Sequence, residues 1–236
     1  VREDLDRLHR WHRTTELPHV AAMLQAMEQA AAADVTVAQV CAFTNQLQQR
    51  LDALAERAEP AVVTLAVGLT AQQLMHLERK YEKLNNEFRK EWIRPPPSEL
   101  ADKRFDKFVE RAEMVYGTLA QPQQAVVRRL LQQSAFDPRR VLADRQRRQR
   151  DTLQTLRKIV GQQVSLAEAR TLLRAYLDRQ RQPPDPADRA YQQSMIDEAC
   201  ANMAAIHNST TAAQRETAVR RLRAYQRDMR ELSAQQ

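Results

Sequence analysis

The chain has 236 residues, 43% hydrophobic and 28% charged, with 3 Gly against 10 Pro and aromatics at 5%. Helix formers dominate and strand formers are scarce, so an all-α fold with a sizeable core is expected. The formal charge of +7 suits anionic partners without selecting one, and the absence of any apolar run near 18 residues excludes a spanning helix, the longest candidate being 61–69.

The chain opens on Val1 without a Met or a signal-like apolar segment, as expected of a processed protein whose targeting information has been removed. The first helical pattern carries His9, His12 and Glu16, the only set resembling a metal site. Pro18 interrupts the helix before His19, and no Cys lies nearby. Surface or packing histidines are therefore expected there, and no metal or cofactor is predicted. His76 and His207 stand alone and read as satisfied structural histidines.

The second helix starts at Val35-Thr36-Val37-Ala38-Gln39-Val40. There Thr36 and Gln39 can form a capping box, and Val35 with Val40 a hydrophobic staple. Its expected buried stripe is Val40, Leu47, Leu51, Leu54 and Ala58, and Pro60 is expected to kink or end it. Leu69-Thr70-Ala-Gln-Gln73-Leu74 repeats the box and the staple. It leads into Leu74, Leu77, Tyr81, Leu84 and Phe88 at alternating steps of three and four, the mark of one packing face.

Pro95 to Pro97 form a stiff linker, and residues 94–98 are the candidate hinge. Phe105, Phe108, Val109, Met114 and Tyr116 beyond it are apolar enough to pack back, so residues 1–236 are expected to form a single helical domain. Gly117 and Gly161 read as stops at the C′ position. Leu119-Ala-Gln-Pro-Gln123 is a degraded copy of the cap, with Pro122 moving the expected N-cap to Gln121. Asp137-Pro138 and Asp185-Pro186 are N-cap and N1 pairs. Ser165 with Glu168 heads Leu166, Ala169, Leu173 and Tyr176. Pro183-Pro184 ends that helix, and Thr211 with Gln214 heads a last one with Ala218, Leu222, Tyr225, Met229 and Leu232. The copies are irregularly spaced, so this is no solenoid. Eight or nine amphipathic helices in an antiparallel, bundle-like or elongated arrangement are expected.

Arg139, Arg140, Arg145, Arg147, Arg148 and Arg150 are the sharpest basic run and a candidate dock for anionic lipid or envelope polymer. They point all round a helix, so its middle is expected to be exposed on most of its circumference. No aromatic residues are interleaved to stack on bases, which disfavours nucleic acid. Phosphate loops, nucleophile elbows and paired Cys-x-x-Cys are absent, so no enzyme is expected. Cys41 and Cys200, the only cysteines, sit in apolar settings; the residues alone leave open whether they are free thiols or a pair.

Five strings carry a resemblance. They are Trp11-His-Arg-Thr-Thr-Glu-Leu-Pro18, Leu69-Thr-Ala-Gln-Gln-Leu-Met-His-Leu-Glu-Arg-Lys-Tyr81, Val109-Glu-Arg-Ala-Glu-Met-Val-Tyr-Gly117, Asp144-Arg-Gln-Arg-Arg-Gln-Arg150 and His207-Asn-Ser-Thr-Thr-Ala-Ala-Gln-Arg215. In this order they resemble an uncharacterised, all-helical family of proteobacterial lipoproteins carried as a domain of unknown function. The resemblance implies export to the periplasm and a lipid on a cysteine upstream of Val1. In that oxidising compartment it implies a Cys41–Cys200 disulfide, worth on the order of 4 to 5 kcal/mol in the chain-entropy picture. The Leu-Thr-x-x-Gln element is also similar to that of the Spy and CpxP type periplasmic chaperones, although this chain is longer and more apolar per helix face.

The expected function is that of a periplasmic, membrane-tethered, non-enzymatic binding or chaperone-like protein whose partner is a protein or envelope component. The alternatives are a structural or assembly factor docking on an anionic lipid or polymer surface through Arg139 to Arg150, and a helical metal-dependent enzyme using His9, His12 and Glu16.

Overall fold

A computed structural model describes residues 2–235. Its helices are α1 (Arg2–Trp11), α2 (Leu17–Ala30), α3 (Val37–Val67), α4 (Ala71–Trp92), α5 (Pro97–Tyr116), α6 (Gln121–Gln132), α7 (Pro138–Gly161), α8 (Leu166–Arg181), α9 (Pro186–Asn208) and α10 (Ala212–Ala234). A π turn over His12–Glu16 joins α1 to α2 without a break, so the described residues form nine continuous helical rods and no strand.

The helix starts follow from their caps. Thr36, Thr70 and Thr211 each accept from the backbone N–H of the glutamine three residues on, at 3.2, 3.2 and 3.3 Å. Each glutamine Oε1 in return accepts the threonine N–H, at 2.8, 2.9 and 2.9 Å. Ser165 caps α8 by accepting from Glu168 N at 3.2 Å. Asp137 and Asp185 accept from Arg139 N and Ala187 N, both at 2.8 Å, with proline at the next position. The N-cap of α6 is Ala120 rather than Gln121. Alanine has no side-chain acceptor, so only half the box forms there, Ala120 N donating to Gln123 Oε1 at 2.8 Å.

Three expected breaks are displaced. Pro18 does not interrupt the first helix: Leu17 N–H bonds to His12 O, and this widened turn takes up the ring that a regular α turn would meet as a clash. Pro60 does not end α3, which runs on to Val67 because Val63 and Ala66 beyond it are buried in a core. Gly117 takes the left-handed conformation (φ 78°) of a helix stop, whereas Gly161 is the last helical residue of α7 and Gln163 turns left-handed (φ 48°) instead.

Contacts divide the chain into two compact units. The first comprises Val1–Leu5, Glu56–Pro97 and Phe136–Gln193; the second comprises Asp6–Ala55, Ser98–Ala135 and Ser194–Gln236. One passage of the chain between them falls at Pro97, inside the candidate hinge. The first unit has a core of Val63, Ala66, Ile159, Val164, Ala169 and Leu173, with Leu156 and Leu172 packed against it. Its α4 packs on α7 and α7 on α8. Glu78 meets Arg157 and Asn85 meets Gln149, while Asp151 meets Arg179 and Thr152 meets Tyr176, so both pairs are antiparallel.

The second unit has a core of Ala112, Tyr116, Leu119, Val127, Ile206 and Ala218. There α2 packs antiparallel on α10, as shown by Arg13 on Leu232 O, Glu28 on Arg223 and Asp34 on Arg215.

The expected stripe of α4 is buried or half-buried throughout. Other stripes shift. Leu47 and Leu51 of α3 are about half exposed, at 49% and 51%, and Leu166 of α8 is exposed while Val164 before the cap is buried. On α10, Tyr225 and Leu232 are exposed because the face turned to α2 is centred on Gln226, whose side chain donates to Glu28.

Within the second unit Cys41 and Cys200 are joined in a disulfide with Cα atoms 5.4 Å apart, closing a sequence separation of 159 residues. Replacing both cysteines by serine is expected to lower stability by about 3 kcal/mol, or roughly 10 °C in Tm, read by thermal unfolding with and without reductant. A double variant as stable as the oxidised protein would contradict this.

Candidate functional site

Two constellations stand out, one in each unit. In the second unit the chain turns at Gly117, where the N–H of Leu119 donates to Glu113 Oε1 at 2.9 Å. The glutamines that close the starts of α6 and α10 then meet each other. Gln123 Nε2 donates to Gln214 Oε1 at 2.6 Å and to Ser209 O at 3.0 Å, and Gln214 Nε2 donates to Gln123 Oε1 at 3.0 Å and to Thr118 O at 2.8 Å.

One turn back on α9, buried His207 holds the 31–36 connection. Its Nε2 lies 2.8 Å from Ala33 O, which can only accept, so Nε2 carries the proton. Nδ1 therefore accepts from the Tyr116 hydroxyl at 3.0 Å. Asn208 brackets Val35 with one bond to its N–H (2.8 Å) and one from its own amide to the Val35 carbonyl (2.9 Å). Burial pushes the Tyr116 hydroxyl up to about 12, against a smaller downward pull from Arg215. Each of these polar groups is spent on another part of the protein, so the constellation is a clasp that fixes three connections.

In the first unit an apolar groove of about 240 Å³ opens between α3, α7 and α8. Val62, Leu65, Ala66 and Leu69 line one wall, with Thr152, Thr155, Leu156, Leu173 and Tyr176 opposite. Val62 and Leu65 lie one turn apart on α3, and Leu69 extends the same wall just beyond the end of the helix. Val63, together with Ala66 of the groove wall, buries α3 in the core. Val62 and Leu65 are 47% and 55% exposed.

The hydroxyls of the groove are occupied. Thr152 donates to Arg148 O at 2.9 Å and pairs with Tyr176 at 2.9 Å, and Thr155 accepts from Arg179 at 3.3 Å. Tyr81 joins from α4; burial raises its hydroxyl above its ordinary value and a hydrogen bond with Thr152 opposes the rise. One turn before Val62, Glu59 accepts from Nε and Nη2 (2.9 Å) of Arg174, and Arg170 lies 3.6 Å from the same carboxylate; on the side of α7 turned to α4, Arg157 donates to Glu78 at 2.6 Å. The bonds from Arg174 hold the Glu59 carboxyl below the usual carboxylate range, against a smaller upward push from burial.

The basic run of α7 differs from its expected form, because residues 144–149 are all half-buried. Helix α7 packs on both α4 and α8, and a guanidinium facing a neighbour needs a partner. Arg147 bonds to Asp144 (2.6 Å) and lies 3.5 Å from Asp188; Arg148 bonds to Asp144 (2.7 Å). The Arg140 guanidinium stacks 4.2 Å over Tyr191 and donates to Ala187 O, and that of Arg145 lies 5.8 Å from the Phe88 ring. Arg139 and Arg150 are exposed.

His9, His12 and Glu16 are not brought together. No group of three His, Cys, Asp or Glu side chains among the described residues could hold a metal. His9 is exposed while Glu16 is buried at 4%, with Arg50 3.8 Å from its carboxylate. Sequence reasoning missed the Gln123–Gln214 pair, although both glutamines stood out at N3 of capped helices. It also missed the groove, since an exposed Leu65 and a buried Ala66 read alike in a helical apolar run.

Residues 1–175 match DUF6279, a family of unknown function, and the chain belongs to it. The matched residues end within α8, so Cys200, His207 and Gln214 lie beyond them. No curated protein and no solved structure matches the chain.

Tyr116→Phe is expected to destabilise the protein by about 1 to 3 kcal/mol, because it leaves the buried Nδ1 of His207 without a donor. Equilibrium denaturation checks this, and an unchanged midpoint would show that the hydroxyl holds nothing.

Proposed function

We propose that this protein is a non-catalytic, chaperone-like binding protein of the periplasm, tethered to a membrane by an N-terminal lipid, and that its groove receives an apolar segment of a partner. The observation that carries the reading is the pair of exposed side chains, Val62 and Leu65, lining a concavity whose hydroxyls are already hydrogen-bonded. Leaving such side chains in water is unfavourable by about 25 cal/mol per Å² of apolar surface, so a partner covering them gains that amount.

The Cys41–Cys200 disulfide supports an oxidising compartment, where such bonds persist. The lipid tether rests on the resemblance of the five sequence strings. Docking on an anionic surface through α7 has less support, since Arg140, Arg145, Arg147 and Arg148 are engaged within the unit. The metal-enzyme alternative lacks the convergence of His9, His12 and Glu16 that it needs.

Titration with an environment-sensitive naphthylamine dye tests the groove. The expected result is saturable fluorescence enhancement that weakens at least about ten-fold when Val62→Asp and Leu65→Asp are combined, because each carboxylate must be desolvated beside the ligand. Both positions are exposed, so helicity and Tm are expected to stay as in the parent. Undiminished enhancement in the double variant would remove the groove as the binding site.

A further inference from the structure

The groove does not stand on an electrically neutral body. Residues 136–193, which supply α7 and α8, contain thirteen Lys and Arg against seven Asp and Glu, a surplus of six positive charges. The unit's other segments cancel, Val1–Leu5 at −1 and Glu56–Pro97 at +1. The first unit therefore carries six of the chain's seven net positive charges. Its groove lies in the field of that surplus, which draws anions and repels cations.

The size of the groove limits what enters. At about 240 Å³ it is larger than an engineered cavity of about 150 Å³ that holds one benzene, and smaller than the roughly 300 to 1,000 Å³ of sites for drug-sized molecules. One alkyl chain fits this range. Its hydroxyls are occupied by protein partners, so a polar head has no bond to gain inside and stays at the rim.

The rim offers such a head its partners. Arg170 and Arg174 flank Leu173 on α8, and Glu59 lies one turn before Val62 on α3. Two guanidiniums share that single carboxylate, with Glu56 a more distant influence on Arg174. Arg170 makes no hydrogen bond to it, so its N–H donors are left for an anion at the mouth.

We propose that the ligand of the groove is a free monoacyl anionic lipid, its single chain along the wall of Val62, Leu65 and Leu69 and its phosphate or carboxylate beside Arg170. This rests on the reading of the groove as a binding site for apolar segments and names the class of segment. The alternative sources of the same chemistry, a bilayer surface or an acylated protein, present the chain inside a larger body and become outcomes of the test.

Displacement of the naphthylamine dye from the full chain by three surfactants of equal chain length, each below its micelle concentration, decides the matter. Dodecyl phosphate is expected to compete about ten-fold more tightly than dodecyl maltoside, and dodecyltrimethylammonium least tightly of the three. The phosphate advantage should shrink in 0.5 M salt. Arg170→Gln should narrow it to about three-fold or less while leaving the maltoside affinity unchanged; the fold does not need this arginine, which is 48% exposed, because Glu59 keeps both of its bonds from Arg174.

Equal affinities for the three heads would overturn the proposal while keeping the groove as an apolar site. Co-sedimentation with phosphatidylglycerol vesicles without competition by dodecyl phosphate, or capture of an acylated peptide alone, would overturn it in favour of the other sources. Failure of every surfactant to displace the dye would strike the groove reading itself.

Discussion

A glutamine pair, Gln123 buried and Gln214 half-buried, governs one half of this protein. Gln123 and Gln214 each close the start of their own helix through Oε1 and use the amide nitrogen to reach the other helix. A helix start leaves backbone N–H groups unpaired, and in a core those groups must find acceptors. One side-chain oxygen meets that demand while the amide nitrogen ties two turns together. The α5–α6 and α9–α10 connections therefore depend on each other, through Thr118 O and Ser209 O.

The same neighbourhood fixes the 31–36 connection by other means. His207 and Asn208, the last two residues of α9, reach the backbone at Ala33 and Val35, and Arg215 pairs with Asp34. Cys200, two turns earlier, is bonded to Cys41. Covalent and polar restraints thus act on one short stretch of chain, and a closed network of this kind has little to offer a substrate. An open apolar groove lies in the other unit, where the side chains that line it have apolar faces and spent hydroxyls.

Charge follows a related rule. The arginines of α7 look from the sequence like an exposed basic face, and several are in fact counter-charges for Asp144 and Asp188 or stacked on aromatic rings. Local pairing absorbs their hydrogen-bond donors without removing the net surplus. What remains is a long-range field centred on the first unit, together with the lightly held guanidinium of Arg170.

The all-helical fold, the capped starts at Thr36, Thr70, Ser165 and Thr211 and the proline-led starts at Pro138 and Pro186 were legible from residue order alone. Capping is settled within four residues and propensity within a few turns, so tertiary context has little to add. The disulfide followed only from the compartment that the resemblance implied. The course of α3 through Pro60, the exposure of Leu47 and Leu65 beside buried Val63 and Ala66, and the meeting of Gln123 with Gln214 were decided by tertiary structure. Each depends on which face of a helix finds a neighbour, and a repeating apolar pattern is satisfied by more than one such choice.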